Sequence, residues 1–151
     1  MGLMGEVASA VMQAGGTAIG VIPQFLADRV SHRGLTELHI VTSMHERKQM
    51  MVELSDAFIA LPGGFGTLEE MTEILTWAQL GFHEKPCGLI NVSGYFDSFL
   101  SFLDHAVSEG FMKQEHRDML FVSDDPATLL ERFRSYAAPK VEKWIDLRSR
   151  P

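Results

Sequence analysis

The sequence has 151 residues, enough for one domain with a full core, and 46% of them are hydrophobic, which excludes a disordered chain. The net charge of −7 at pH 7 argues against nucleic acid as a partner, because nucleic-acid binding needs a basic surface. No apolar run reaches the length of a membrane span, the start lacks the layout of a signal peptide, and a single cysteine, Cys87, excludes an internal disulfide. A cytoplasmic protein without membrane contact is therefore expected.

Helical and strand patterns alternate along the chain. Helices are predicted over residues 1–14, 25–30, 43–54, 67–80, 97–109 and 126–136, and strands over 17–23, 38–42, 57–61, 85–92 and 119–122. Continuous apolar strands separated by helices predict an α/β fold with a parallel sheet covered by helices on both faces. We expect one domain over residues 1–136 and an appended tail over 137–151. The chain opens inside a helix, so either the usual first strand and helix are absent or the first element is unusual.

A glycine-rich turn joins the strand at 57–61 to the helix that follows it. Pro62, Gly63 and Gly64 end the strand, Gly66 keeps the turn free of side chains, and Thr67 is predicted to open the helix. The first N–H groups of a helix have no intrahelical acceptor, and the helix dipole favours negative charge there. The turn matches neither GxGxxG nor the Walker pattern, so it predicts only a bound anion such as a phosphate.

Glu70 stands apart from the solvent-facing side of this helix. Helical spacing places Leu68, Met71, Ile74, Leu75 and Ala78 on the apolar face and Glu69, Glu73 and Thr76 on the solvent side. Glu70 projects at the edge of the apolar face. Thr67-x-x-Glu70 matches a capping box, in which Glu70 bonds back to the N-cap amide. A carboxylate in the first turn is also held ionised by the helix dipole and suits stabilisation of positive charge on a ligand, and the two roles are compatible.

A second group of polar residues begins the helix at 43–54. Ser43-x-x-Glu46 matches another capping box. One side of this helix carries Met44, Arg47, Lys48, Met51 and Leu54. The two cations either extend their heads into solvent or face a cleft opposite an anion. Because both capped helices begin at the carboxyl ends of parallel strands, where ligands bind in open α/β sheets, we favour a site.

The remaining reactive residues give no further site. No histidine pairs at metal-ligand spacing and no Ser–His–Asp order is present, so no metal is expected. Cys87 lies in an apolar run without an activating motif, which favours a small core residue over a nucleophile.

Several segments together resemble the LONELY GUY (LOG) family, cytokinin riboside 5′-monophosphate phosphoribohydrolases that are often mislabelled lysine decarboxylases. The segments are MHERK at 44–48, SDAFIALPGGFGTLEE at 55–70, WAQLG at 77–81, KP at 85–86 and NVSGY at 91–95. The resemblance implies a Rossmann-like fold, a homodimer, no cofactor, and hydrolysis of the N-glycosidic bond in adenosine-type 5′-monophosphates to free base and ribose 5-phosphate.

The same resemblance implies roles for individual residues. Arg47 and Glu70 match the catalytic pair of the family. The positions that match its substrate-binding residues are Met44, Lys48, Gly63, Gly64, Phe65, Gly66, Thr67, Leu68 and Glu69. An oxocarbenium-like state is expected in such a hydrolysis, which a carboxylate at Glu70 stabilises while it orients water. Arg47 is expected to hold the nucleotide or to stabilise the departing base.

The sequence departs from the family at two places, and two other functions compete with hydrolysis. Members usually carry a leading strand, helix and glycine-rich turn that are missing here, which is expected to remove a central strand and part of the pocket. Members also commonly have Glu where Arg29 stands, so either Asp28 replaces it or the base preference differs. A non-catalytic nucleotide carrier, similar to molybdenum cofactor carriers, is the main alternative. A pyridoxal-phosphate decarboxylase fits less well, because Lys48 has no partner for the pyridine nitrogen.

Overall fold

A computed structural model of the protein describes residues 2–27 and 34–139. Asp28, Arg29, the end of the helix predicted at 25–30 and the tail from residue 140 onward lie outside the described residues. The described part divides into two compact units, the first ending at Ser55 and the second beginning at Asp56. No described helix is both long enough and apolar enough to cross a bilayer.

The first unit is a pair of parallel strands with helices beside them. Its elements are α1 (Leu3–Gln13), β1 (Ile19–Pro23), α2 (Gln24–Ala27), β2 (Glu37–Val41) and α3 (Met44–Leu54). The two strands pair in register from Ile19 opposite Glu37 to Pro23 opposite Val41. Both α2 and α3 contact β1 and β2. None of the residues of α1 is buried, so this helix contributes no buried residue to the core of the unit.

The second unit contains a three-stranded parallel sheet. Its elements are β3 (Phe58–Ala60), α4 (Phe65–Gln79), β4 (Cys87–Ile90), a 3-10 turn (Val92–Gly94), α5 (Asp97–Ser108), α6 (Gln114–Arg117), β5 (Leu120–Ser123) and α7 (Pro126–Arg134). The strand order is β3–β4–β5, and β4 therefore lies in the centre. All four residues of β4 are buried, although neighbouring residues of a strand point to opposite faces. This strand is consequently covered on both faces, as the continuous apolar pattern predicts.

Close packing of α7 against the sheet depends on a small residue in β4. A Cβ atom added at Gly88 would lie 2.9 Å from Leu129 Cδ1 and 2.9 Å from Phe133 Cζ. Both side chains pack with Ile90, which is on the same face of the strand, in one buried cluster. Helix α7 is held at its start by Asp125, whose side chain accepts a 2.7 Å hydrogen bond from the Thr128 amide.

The predicted α/β fold with parallel strands flanked by helices is confirmed, and so is the chain order of the predicted elements. Helix α6 was missed, because four polar residues after a glycine-containing turn carry no apolar periodicity. The described strands form two parallel ladders, β1–β2 and β3–β4–β5.

His83 links the end of α4 to the start of β4. Its Nδ1 accepts a 3.1 Å hydrogen bond from the Lys85 amide, which leaves Nε2 as the donor to the Ile74 carbonyl at 2.9 Å. The bond from the Lys85 amide requires the neutral ring, because a protonated Nδ1 cannot accept a hydrogen bond. Burial, followed by the nearby charge of Lys85, lowers the pKa of His83 below its ordinary value of 6.5.

We predict that His83 makes the protein less stable in mild acid. Because the pKa of His83 is lower in the folded protein than in the unfolded chain, the unfolded chain binds a proton on this ring more readily. The free energy of unfolding therefore decreases as the pH falls below 6.5. Urea unfolding between about pH 7.5 and 5.5 should show a smaller pH dependence in His83→Gln than in the wild type. His105→Gln, at an exposed position of α5, is the matched control. An identical pH dependence in the wild type and in His83→Gln would contradict the prediction.

Candidate functional site

The candidate site of the second unit lies where β3 and β4 end. These strands are parallel neighbours, so the loops at 61–64 and 91–96 leave the same edge of the sheet. Ligands bind at this edge in open parallel sheets because the helices that follow the strands begin there. The structure therefore places the glycine-rich turn at the predicted edge.

Helix α4 begins earlier than the sequence suggested. It starts at Phe65, its N-cap is Gly64, and the Leu68 amide donates a 3.1 Å hydrogen bond to the Gly64 carbonyl. Thr67 is the third residue of the helix, so the capping box predicted for Thr67 and Glu70 is wrong. The reason is that Phe65 and Gly66 take helical conformations, whereas Gly66 was assigned to the turn.

The earlier start leaves the first turn of α4 without a side-chain cap. Its N-cap, Gly64, has no side chain to accept a hydrogen bond. The amides of Phe65, Gly66 and Thr67 have no acceptor within the helix, as at every helix start. A Cβ atom added at Gly64 or Gly66 would meet nothing within 4 Å. Space beside the Cα atoms of Gly64 and Gly66 is therefore open, and the amides of a helix start suit an anion.

Gly63 has a different role from its two neighbours. A Cβ atom added there would collide with the side chain of Thr67, whose own Cβ would be 2.9 Å away. Glycine is required at 63 because Thr67 occupies the space where a Cβ atom would lie.

Glu70 is half-buried at the edge of the apolar face of α4, as predicted. It is the sixth residue of the helix, and the first turn contains no acidic residue, so the expected first-turn carboxylate beside the dipole is not found. Glu69 is exposed, as predicted, but Glu73 is half-buried and not on the solvent side. The apolar face is centred on the buried residues Met71, Ile74 and Ala78, which brings Glu73 to its margin.

The first unit positions Arg47 on α3. The Ser43 hydroxyl accepts a 3.1 Å hydrogen bond from the Glu46 amide, which confirms the predicted N-cap. Glu46 bonds to Thr42 in place of the Ser43 amide, accepting from its hydroxyl and its backbone N–H at 2.7 Å each. These two bonds, the hydroxyl first, lower the pKa of Glu46. The helix start is thereby fixed on the residue that follows β2.

Arg47 is buried, with 9% of its surface exposed. Its Nε donates a 3.1 Å hydrogen bond to the Val21 carbonyl of β1, which fixes the guanidinium plane. A side chain that extended its head into solvent would be far more exposed, so that interpretation is wrong for Arg47. Lys48 is half-buried and Met44 is 38% exposed.

Cys87 is a core residue, as the sequence favoured. Its side chain is 1% exposed in the centre of β4, and burial raises the pKa of the thiol to about 12. A thiol that stays protonated at neutral pH is not a nucleophile.

Tyr95 contacts the glycine turn, which the sequence did not predict. Its hydroxyl donates a 2.9 Å hydrogen bond to the Gly63 carbonyl, from a position 32 residues further along the chain. No local sequence pattern predicts such a contact. The two residues follow neighbouring parallel strands, and this was the one indication that they lie close together. A surface cavity of about 410 Å³ in the same unit is lined by Phe121, Arg132 and Tyr136 and does not include the glycine turn.

Comparison with known proteins identifies the family. Residues 4–133 match the model of a family described as "Possible lysine decarboxylase". A Rhodococcoides fascians protein named cytokinin riboside 5′-monophosphate phosphoribohydrolase is 50% identical over 137 residues, which cover 89% of this chain and 69% of the relative. The chain belongs to the LONELY GUY family.

Plant members of the LONELY GUY family are similarly close. The Oryza sativa subsp. japonica protein named probable cytokinin riboside 5′-monophosphate phosphoribohydrolase LOGL9 is 50% identical over 90% of this chain. The Arabidopsis thaliana protein LOG1, with the same enzyme name, is 47% identical over 95% of this chain. The chain spans 60% of the length of the first of these two relatives and 67% of the second.

The residues that the resemblance to the LONELY GUY family implies as site residues are divided between the two units, each described by itself. The structure brings the glycine turn, Glu70 and the Tyr95 loop into the second unit, and it places Met44, Arg47 and Lys48 on α3 of the first. The pairing of Arg47 with Glu70 stays a prediction.

We predict that the two kinds of glycine respond oppositely to alanine. Gly63→Ala should lower the free energy of unfolding by about 1–3 kcal/mol, because Thr67 must move. Gly66→Ala fills open space within a helix and should be neutral or stabilising, by up to about 1 kcal/mol. Urea unfolding of both variants measures the difference. Equal destabilisation would contradict the packing of Thr67 against Gly63.

Proposed function

We propose that this chain hydrolyses the N-glycosidic bond of adenosine-type nucleoside 5′-monophosphates, cytokinin ribosides among them, to free base and ribose 5-phosphate. The observation that carries the proposal is 50% identity with the Rhodococcoides fascians phosphoribohydrolase over 89% of this chain. The start of α4 without a side-chain cap, together with open space beside Gly64 and Gly66, supports a phosphate-binding role for the glycine turn.

In the proposed reaction, the bond between the sugar C1′ and the base nitrogen breaks and its electron pair leaves with the base. Water adds to C1′, and the departing nitrogen gains a proton. The sugar passes through an oxocarbenium-like state, which the carboxylate of Glu70 stabilises while it orients the water. Arg47 holds the nucleotide or stabilises the departing base, and its bond to Val21 keeps the guanidinium in one orientation before substrate arrives.

The other family-derived residues are proposed to bind the nucleotide. Amides of the turn, over Gly63, Gly64, Phe65, Gly66 and Thr67, receive the phosphate, and Leu68, Glu69, Met44 and Lys48 complete the binding positions. We further propose a homodimer, supported by the family resemblance. A cytoplasmic location is supported by the free buried thiol of Cys87, which suits a reducing compartment.

We predict that Arg47 and Glu70 are needed for turnover, and that the charge of Glu70 can be removed without loss of AMP binding. Purified protein incubated with AMP, and in parallel with isopentenyladenosine monophosphate, should release ribose 5-phosphate. Arg47→Ala and Glu70→Gln should each lower kcat by about 10²–10³-fold, because each removes charge aimed at the transition state. Glu70→Gln keeps the shape of the side chain and should still bind AMP, as measured by calorimetry.

Matched controls are available on α7. Arg134 and Glu131 form an exposed ion pair there, so Arg134→Ala and Glu131→Gln make the same chemical changes outside the proposed site. Both should retain wild-type turnover. Binding of AMP without release of ribose 5-phosphate by the wild-type chain would contradict hydrolysis and support a nucleotide carrier. Full turnover in Glu70→Gln would contradict the assigned role of Glu70.

A further inference from the structure

The loop that follows β4 is held rigidly by its own hydrogen bonds. Asn91 donates through Nδ2 to Asp97 Oδ1 at 2.8 Å and accepts at Oδ1 from the Phe96 amide at 2.7 Å. Its backbone amide donates to the Ser123 carbonyl at 2.8 Å, which ties the loop to the end of β5. Both ends of the loop are therefore fixed to the sheet and to the start of α5.

Two residues of this loop adopt left-handed backbone conformations. Ser93 has φ 53° and ψ 29°, which is unfavourable for a residue with a side chain. Gly94 has φ 70°, and a Cβ atom added there would lie 3.0 Å from Asp97 Cγ. Such strain persists only where the surroundings determine the conformation, as the bonds of Asn91 do here. Tyr95 directly follows these two residues, so its backbone position is set by the loop.

The side chain of Tyr95 connects the loop that follows β4 to the glycine turn. It packs edge-to-face on Phe96, with centroids 5.0 Å apart and planes at 89°, and Phe96 is 2% exposed. The Tyr95 side chain is itself 55% exposed, so packing alone does not require its hydroxyl to bond to the protein. That hydroxyl nevertheless donates to the Gly63 carbonyl at 2.9 Å.

This hydrogen bond sets the direction of an amide in the turn. A trans peptide is planar, so its C=O and N–H point in opposite directions. Holding the Gly63 carbonyl toward Tyr95 therefore aims the Gly64 N–H away from Tyr95. Thr67 contacts Gly63 at its Cα and restricts the same residue from another direction. Without the hydroxyl, the peptide between Gly63 and Gly64 loses one of these two restraints and rotates over a wider range, because glycine allows many backbone conformations.

We propose that Tyr95 is a positioning residue of the phosphate-binding turn. It holds the Gly63–Gly64 peptide so that the Gly64 amide joins those of the first turn of α4 in binding the 5′-phosphate of the nucleotide. The proposal rests on the proposed function for the identity of the ligand. Tyr95 acts through the backbone of the turn and has no part in bond cleavage.

The test compares Tyr95→Phe with Tyr136→Phe. The first variant keeps the ring on Phe96 and removes the hydroxyl alone. The second removes the hydroxyl of a tyrosine whose ring packs edge-to-face on Phe121, 5.6 Å between centroids, away from the turn. Calorimetry measures the affinity for inorganic phosphate and for AMP, kinetics give KM and kcat for AMP, and thermal unfolding checks that both variants are folded.

Tyr95→Phe is expected to weaken binding of phosphate and AMP by about three- to tenfold, the effect of one hydrogen bond. KM for AMP should rise by the same factor while kcat changes by less than about twofold, because only binding of the phosphate is affected. Tyr136→Phe should leave all four quantities unchanged. A merely structural role would lower the melting temperature without separating KM from kcat.

Unchanged phosphate affinity in a folded Tyr95→Phe would overturn the proposal, and so would equal losses in the two variants. The absence of phosphate and AMP binding by the wild type would overturn it as well. Binding without cleavage by the wild type would overturn the hydrolase function, while the phosphate affinities would still decide the role of Tyr95.

Discussion

The passage from β3 into α4 is the constraint on which the candidate site depends. The chain must leave β3 and enter a helix within residues 61–64, and Gly63 lies in the middle of this passage. Thr67 fills the space beside its Cα, and Tyr95 holds its carbonyl at 2.9 Å. With the peptide fixed from two sides, the following amides are presented in one arrangement before any ligand arrives. Such preorganisation is what makes fixed backbone dipoles effective toward an anion.

Much of the fold could be predicted because its signals are local. Continuous apolar runs identified the strands, and Ser43 marked the start of α3, where the structure confirms the cap. The start of α4 was placed two residues late, since a glycine after a turn was assigned to the turn although Gly66 is helical. The division of the strands into two ladders could not be read from local patterns, because pairing depends on contacts between distant segments.

The parts of the candidate site that belong to a recognisable sequence pattern could be predicted. The glycine turn and Arg47 were identified, and the structure adds that Arg47 is buried and bonded to the Val21 carbonyl. The position of Glu70 at the margin of the apolar face followed from helical spacing, whereas its supposed cap did not, because the cap depended on the exact helix start. Tyr95 was missed because its contact with Gly63 joins two loops through the order of the strands.

The central claim is that the phosphate of a mononucleotide rests on the uncapped amides at the start of α4. Nuclear magnetic resonance of the ¹⁵N-labelled protein during titration with AMP tests it most directly, because each amide reports separately. We expect the largest shifts at Gly64, Phe65 and Gly66. Shifts confined to the cavity around Phe121 and Arg132, with the three turn amides unchanged, would contradict it.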